Sequence, residues 1–254
     1  MSQMAGEISD SKGRGTAEWS WPAIHPDGRK FGLLATAIAL VVLLVLDWEI
    51  VGWPLLLLAA GVFAFFRDPE RVVPQGEDLV ISPADGLVSL IDQVPPPLEL
   101  QGIDPENGAK GLSGELVTRI SIFISVFDVH INRAPVGGTM RRRIYITGAF
   151  VNSELDKASE QNERQHLLIE RPDGVLLGLT QIAGLVARRI VSFVQPGDVM
   201  AAGQRLGLIR FGSRVDIYLP AGTDPLVVTG QTAIAGETVL ARLGRTGFIE
   251  GIRQ

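Results

Sequence analysis

Two uncharged stretches dominate the first third of the chain. Phe31 to Leu46 consists almost wholly of Leu, Ala, Val and Ile, and Ile50 to Phe66 repeats the texture around Pro54. Asp47 and Glu49 separate them. The pattern predicts a hydrophobic helical hairpin. Each run has 16 or 17 residues, at the short edge of the roughly 20 that a bilayer-spanning helix needs, so spanning and dipping into one leaflet both stay open. Arg29 and Lys30 precede the hairpin, and Arg67 and Arg71 follow it. By the positive-inside tendency both ends lie on the cytoplasmic side, with Trp48 and Trp53 at the far interface. A cleaved signal peptide fits less well, because a second run follows and no clear Ala-x-Ala site stands after Leu46. Buried helices of a soluble fold are the remaining alternative.

After Phe65–Arg71 (FFRDPER) the texture changes. Short alternating apolar runs are separated by Gly, Pro, Asp and Asn, which is the pattern of strands and turns. Strands are predicted at Asp78–Ser82, Leu87–Val94, Leu116–Ile124, Thr139–Ile146, Arg164–Glu170, Val175–Ile182, Leu206–Phe211 and Arg214–Leu219, with a short helix near Asp156–Glu163. Two segments, Val194–Leu206 and Val228–Leu240, share a strand–turn–Gly–strand rhythm that is similar to the half-repeats of biotinyl and lipoyl carrier modules. A carrier presents a lysine at a hairpin tip, and the last lysine here is Lys157. The likeness therefore points to architecture and not to carrier function. The expected organisation is a flexible tail (1–28), a membrane-anchoring hairpin (29–71) and a mainly β, barrel-sandwich-like domain (72–254).

Composition narrows the chemistry. A net charge of −5 disfavours a nucleic-acid partner. With no cysteine, disulfides, thiol nucleophiles and Cys-ligated metals are excluded. The three histidines, His25, His130 and His166, show no short metal-ligand spacing, so no metal is expected.

Three segments stand out for chemistry: Ile81–Val88 (ISPADGLV) with Asp85, Ser125–Gly138 (SVFDVHINRAPVGG) with His130, and Phe211–Asp216 (FGSRVD) with Gly212 and Ser213. Each has an ordinary explanation alone. Asp-Gly after Pro is a common turn, a lone histidine is usually just hydrogen-bonded, and Gly-Ser is a frequent dipeptide. Together with RDPER, and in this order after an apolar anchor, they resemble the short bacterial form of the phosphatidylserine decarboxylase family, from about His25 to the C-terminus.

The resemblance implies a proenzyme that cuts itself between Gly212 and Ser213 into a β chain (1–212) and an α chain (213–254) that stay associated. It implies a pyruvoyl group made from Ser213 as the only cofactor, which binds phosphatidylserine as a Schiff base. Gly212 has no side chain to obstruct attack by the Ser213 hydroxyl on its carbonyl. The reaction needs a base and donors for the oxyanion. His130 is assigned as proton donor in decarboxylation and candidate base in maturation. Asp85 either supports the histidine or acts as base in cleavage. Longer family members carry a second histidine three residues after the first, a slot held here by Arg133, whose forked donors suit a phosphate or carboxylate. Arg141–Arg143 and Arg188–Arg189 read either as solvated edges or as contacts to anionic lipid. The expected location is the inner cell membrane with the catalytic domain on the cytoplasmic side, and a homo-oligomer is compatible with all of this. Alternatives are the same chemistry on another serine-headed phospholipid, a membrane-anchored serine hydrolase using Asp85, His130 and Ser213, and a non-enzymatic sandwich domain.

Overall fold

A computed structural model describes residues 21–104, 108, 110–148, 162–184, 189–210, 213–247 and 249–251. The predicted helix at Asp156–Glu163 falls almost wholly outside them, as does Gly212. The chain opens with β1 (Ala23–Ile24), α1 (Pro26–Leu44), α2 (Glu49–Phe65) and β2 (Arg67–Asp68). It continues with β3 (Leu79–Ile81), β4 (Gly86–Val94), β5 (Val117–Ile124), β6 (Ile131–Arg133), β7 (Gly138–Ile146), β8 (Arg164–Glu170) and β9 (Leu176–Ala183). It ends with β10 (Ile190–Ser192), β11 (Val199–Met200), β12 (Arg205–Ile209), β13 (Ser213–Tyr218), β14 (Thr232–Ala233) and β15 (Val239–Arg242). The fold is mainly β, with two α-helices among the described residues.

Helix α1 starts where Pro26 presets the first turn and the His25 ring accepts from the Asp27 N–H. The two helices run side by side in opposite directions on glycine. A Cβ at Gly28 would fall 2.2 Å from Phe66, at Gly32 2.4 Å from Phe63 and at Gly52 2.7 Å from Leu43. Helix α2 continues through Pro54. No described helix is long and apolar enough to cross a membrane. At 1.5 Å per residue the 19- and 17-residue helices reach roughly 25–28 Å.

The main sheet is antiparallel, in the order β11-β7-β8-β9-β13-β5-β4-β14. That order sets β7 opposite β4, and β11 opposite β14, at mirror positions of the sheet. β4 and β7 each carry a register shift between their third and fifth residues, at Val88/Leu90 and Met140/Arg142. The segment Ser82–Val88 is embraced by the second half-repeat: Gly236 N–H donates to Ser82 O and Gly230 N–H to Val88 O. Ala134–Met140 is embraced by the first in the same way, through Gly203 to Ala134 O and Gly197 to Met140 O. These glycines adopt matching left-handed conformations, φ 98° and 77° in one repeat, 94° and 78° in the other. At the centre Arg133 N–H donates to Pro83 O and Ile81 N–H to Pro135 O. The likeness between the two C-terminal segments thus extends to a doubled β unit, with SPADGLV and APVGGTM as the second repeated pair.

One core fills the space between the inward face of the sheet and the short strands β3, β6, β10, β12 and β15. Ile120, Ile122, Ile124, Leu167, Leu179, Val215 and Ile217 meet Val80, Ala134, Leu206 and Leu240 there. Each fully buried branched side chain contributes about 1.5–3 kcal/mol. A smaller cluster joins Phe65 and Phe66 of the helix end to Val129, Ile131 and Leu208, which fastens the helices beside His130.

Candidate functional site

Strand pairing gathers the three flagged segments at one end of the main sheet. Ser213 opens β13 and faces Ile124, the last residue of β5, and Ala183, the last of β9. Leu87 pairs with Phe123, so Asp85 lies just beyond the start of β4, two strands from Ser213, or roughly 10 Å at the usual strand spacing. His130 precedes β6, and its carbonyl accepts from Ile209 N–H, four residues before Ser213. Gly86 is required here: its φ is +146°, and a Cβ would fall 2.1 Å from the Phe123 carbonyl oxygen.

Ser213 is completely buried, and its Oγ has no hydrogen-bonding partner among the described residues. Buried hydroxyls nearly always find partners. An orphaned one at the end of a strand calls for an explanation, and Ser121 Oγ within β5 is a second buried hydroxyl without a partner among the described residues. His130 is equally buried, with its ring 4.0 Å from that of Phe65. Nδ1 lies 2.9 Å from the Asp128 carbonyl. A carbonyl only accepts, so Nδ1 carries the hydrogen and Nε2 the lone pair. Burial pushes the ring pKa down to about 4, with Arg67 adding to the effect and the Asp128 bond opposing it. His130 is thus a neutral imidazole at pH 7, able to accept a proton.

Asp85 is engaged elsewhere. Oδ2 pairs with Arg71 at 2.7 Å and Oδ1 accepts from Ala235 N–H at 2.8 Å. Burial raises its pKa, opposed by the Ala235 bond and Arg71. The expectation that Asp85 orients His130 meets a different arrangement, in which the Asp128 backbone does so. A hydrolase-type Asp85–His130–Ser213 relay is accordingly not assembled. Arg133 donates to Gly203 O (3.0 Å) and Pro69 O (2.9 Å) and pairs with Asp68 at 3.5 Å. Its guanidinium braces the RDPER turn against the first half-repeat. Within the 141–143 run, Arg142 is buried and bonds Asp104, Glu99 O and Gln101 O, while Arg141 pairs with Glu170. Arg188 lies outside the described residues.

Sequence reasoning missed Arg71 as the partner of Asp85 and Phe65 as the wall of His130; both lie in the FFRDPER stretch, read there as an anchor flank and a family motif with no site role for either residue. It also missed three buried amides, Gln165, Gln181 and Asn132, which form a chain on the core side of the sheet. The described residues contain no cluster of three or more His, Cys, Asp or Glu able to hold a metal. The orphaned Ser213 hydroxyl does fit the residue from which a pyruvoyl group is made.

A family model described as phosphatidylserine decarboxylase matches residues 58–241. Among curated relatives, phosphatidylserine decarboxylase proenzymes are similar over nearly the whole chain. The one from Novosphingobium aromaticivorans is 62% identical across 100% of both chains. That from Erythrobacter litoralis is 62% identical over 99% of this chain and 100% of its own. The Zymomonas mobilis relative is 56% identical over 89% of each. Orphaned serine, neutral buried histidine and sequence likeness agree, and the chain belongs to the phosphatidylserine decarboxylase family.

Proposed function

We propose that the chain cleaves itself between Gly212 and Ser213, turns Ser213 into a pyruvoyl group and then decarboxylates phosphatidylserine to phosphatidylethanolamine. The observation that carries this reading is the fully buried Ser213 Oγ, without a partner among the described residues, at the sheet end shared with the His130 and Asp85 segments. The pyruvoyl group supplies a ketone that takes up the substrate amine and withdraws the electrons released with CO₂. The protein supplies the rest. Neutral His130 accepts the Ser213 proton through Nε2 during cleavage, and once protonated it can hand a proton to the carbon that loses CO₂. Asp85, held by Arg71 and Ala235, is a second acceptor at this end of the sheet. Arg133 enters as a brace of the RDPER turn, bonded through Nη1 and Nη2.

The hairpin supports membrane attachment. Leu33, Leu34, Ile50, Leu57 and Leu58 are all more than 60% exposed, and Phe127, beside the His130 segment, is 83% exposed. Arg67 holds that loop by donating to Phe127 O. An apolar surface of this kind marks a lipid or protein contact. We read the helices as seated in one leaflet of the inner membrane, with the β domain on the cytoplasmic side and phosphatidylserine entering from the same leaflet. Another serine-headed phospholipid would meet the same groups.

The test is chemical. His130→Ala is expected to slow self-cleavage and, in the fraction that matures through the second acceptor Asp85, to lower phosphatidylserine turnover by at least about 10²-fold, the usual contribution of a positioned acid or base. Unchanged turnover would remove His130 from the mechanism. Release of CO₂ from the serine carboxyl in detergent micelles is the readout.

A further inference from the structure

The inward face of β13 carries Ser213, Val215 and Ile217, since side chains alternate along a strand. Val215 faces Gln181 on β9 while Ser213 faces Ala183. Gln181 is therefore the diagonal neighbour of Ser213, roughly 7–8 Å away between Cα atoms. Gln181 is the middle of the buried amide chain. Gln165 Nε2 donates to Gln181 Oε1 at 2.8 Å, and Gln181 Nε2 donates to Asn132 Oδ1 at 2.7 Å. Gln181 and Asn132 are fully buried and Gln165 is 3% exposed.

The direction of this chain decides which end of Asn132 is left over. Its oxygen is taken by Gln181, so its NH₂ must find an acceptor elsewhere. Nδ2 has no partner among the described residues. Leaving a buried amide donor unpaired is costly, and two glutamines are spent on holding it in this orientation. Ser213 Oγ is another buried group without a partner among the described residues, and its residue is the diagonal neighbour of Gln181. β6 also carries Asn132 two residues after His130, on the short sheet that faces the core from the opposite side.

We propose that Asn132 Nδ2 is the donor that steadies the Ser213 oxygen as it loses its proton during self-cleavage, with Gln181 and Gln165 as positioning residues behind it. The inference rests on the reading of Ser213 given above. In the step, Ser213 Oγ–H gives its proton to the base, and the Oγ–C bond forms with the carbonyl carbon of residue 212. The C–N bond of the peptide then breaks, and its nitrogen takes up a proton. Asn132 exchanges no atom; it offers an N–H to the oxygen while that oxygen carries negative charge. Such a donor is worth most in a dry interior.

The test follows formation of the 213–254 fragment on denaturing gels after cell-free synthesis of the full chain, across a pH series. Asn132→Ala is expected to slow fragment formation on the order of 10²-fold, as for loss of one oxyanion donor. Asn132→Asp keeps the acceptor for Gln181 and removes both N–H groups. A buried carboxyl holds its proton to higher pH and, when protonated, can donate again. The ratio of the Asn132→Asp rate to the wild-type rate is therefore expected to rise as pH falls. Cleavage of Asn132→Ala at a rate within about threefold of wild type, far short of a lost donor, would overturn the inference. If Asn132→Ala does not fold, as read by its melting curve, a flat Asn132→Asp ratio overturns it instead. Absence of any fragment from the wild-type chain would sink the Ser213 reading itself, a result distinct from either.

Discussion

Replacing Arg71 by Met keeps most of the aliphatic stem and strips Asp85 of its cation. The pair sits at 2.7 Å with both side chains about 15% exposed. Two charges some 4 Å apart interact by about 4 kcal/mol at an effective dielectric near 20. The loss is also capped, because Asp85 can escape by protonation. Folding at pH 7 with a neutral carboxyl of ordinary pKa near 3.9 costs about 4 kcal/mol. The retained Ala235 bond and partial exposure lower the figure, so we expect about 2–3 kcal/mol of destabilisation at pH 7. The assay is urea unfolding in a Ser213→Ala background, so that one continuous chain unfolds in a single transition. The sign with pH is fixed. Burial already raises the Asp85 pKa, and removing Arg71 raises it further. A raised carboxylate pKa stabilises the fold at low pH and loses that contribution as pH rises through it. The Arg71→Met deficit should therefore shrink on going from pH 7.5 to 4.5. It should also fall below about 1 kcal/mol when Asp85→Asn is already present, as expected of coupled neighbours. Equal deficits at the two pH values, or in both backgrounds, would refute the reasoning.

Two further outcomes follow from single positions. Gly86→Ala places a Cβ 2.1 Å from the Phe123 carbonyl oxygen at a φ of +146°, and thermal melting should register a loss of at least about 3 kcal/mol; a loss under about 1 kcal/mol would mean that the SPADG turn is built differently. The buried His166 ring has its pKa pushed down to about 4, chiefly by burial, whereas the unfolded ring takes a proton near 6.5. Stability should fall as pH drops between those values, by about 3 kcal/mol in all from this group. His166→Gln should flatten that part of the stability–pH curve, and an unchanged slope would contradict the assignment.

The eight strands read from alternation all appear, displaced by no more than a residue or two at most of their ends, because period-two patterning and glycine or proline turns are local signals. Apart from β3, the strands of two or three residues, such as β6, β11 and β14, were not legible. Their identity comes from pairing partners distant in sequence, as with Ile131 beside Leu208. The doubling of the domain was half visible. Segments 194–206 and 228–240 announced it, but SPADGLV and APVGGTM share too few letters to stand out without their matching hydrogen bonds. At the site, Ser213, His130 and Asp85 were legible because motif chemistry is carried by residue type. Their partners were not. The bond from Asp128 O to His130 is made by backbone, which no side-chain pattern reports. Arg71 reaches Asp85 only because β3 and the half-repeat turns bring the two segments together. Asn132, Gln165 and Gln181 look like ordinary polar positions until burial makes each hydrogen bond count.

The central claim concerns the terminus created at residue 213. Intact mass measurement of the small chain from purified, active protein tests it most directly. The expected 213–254 fragment is lighter than the serine-initiated peptide by one ammonia, because a ketone has replaced the amine-bearing carbon of the terminal residue. An active preparation containing the unbroken 1–254 chain, or a fragment that begins with an intact serine, would contradict it.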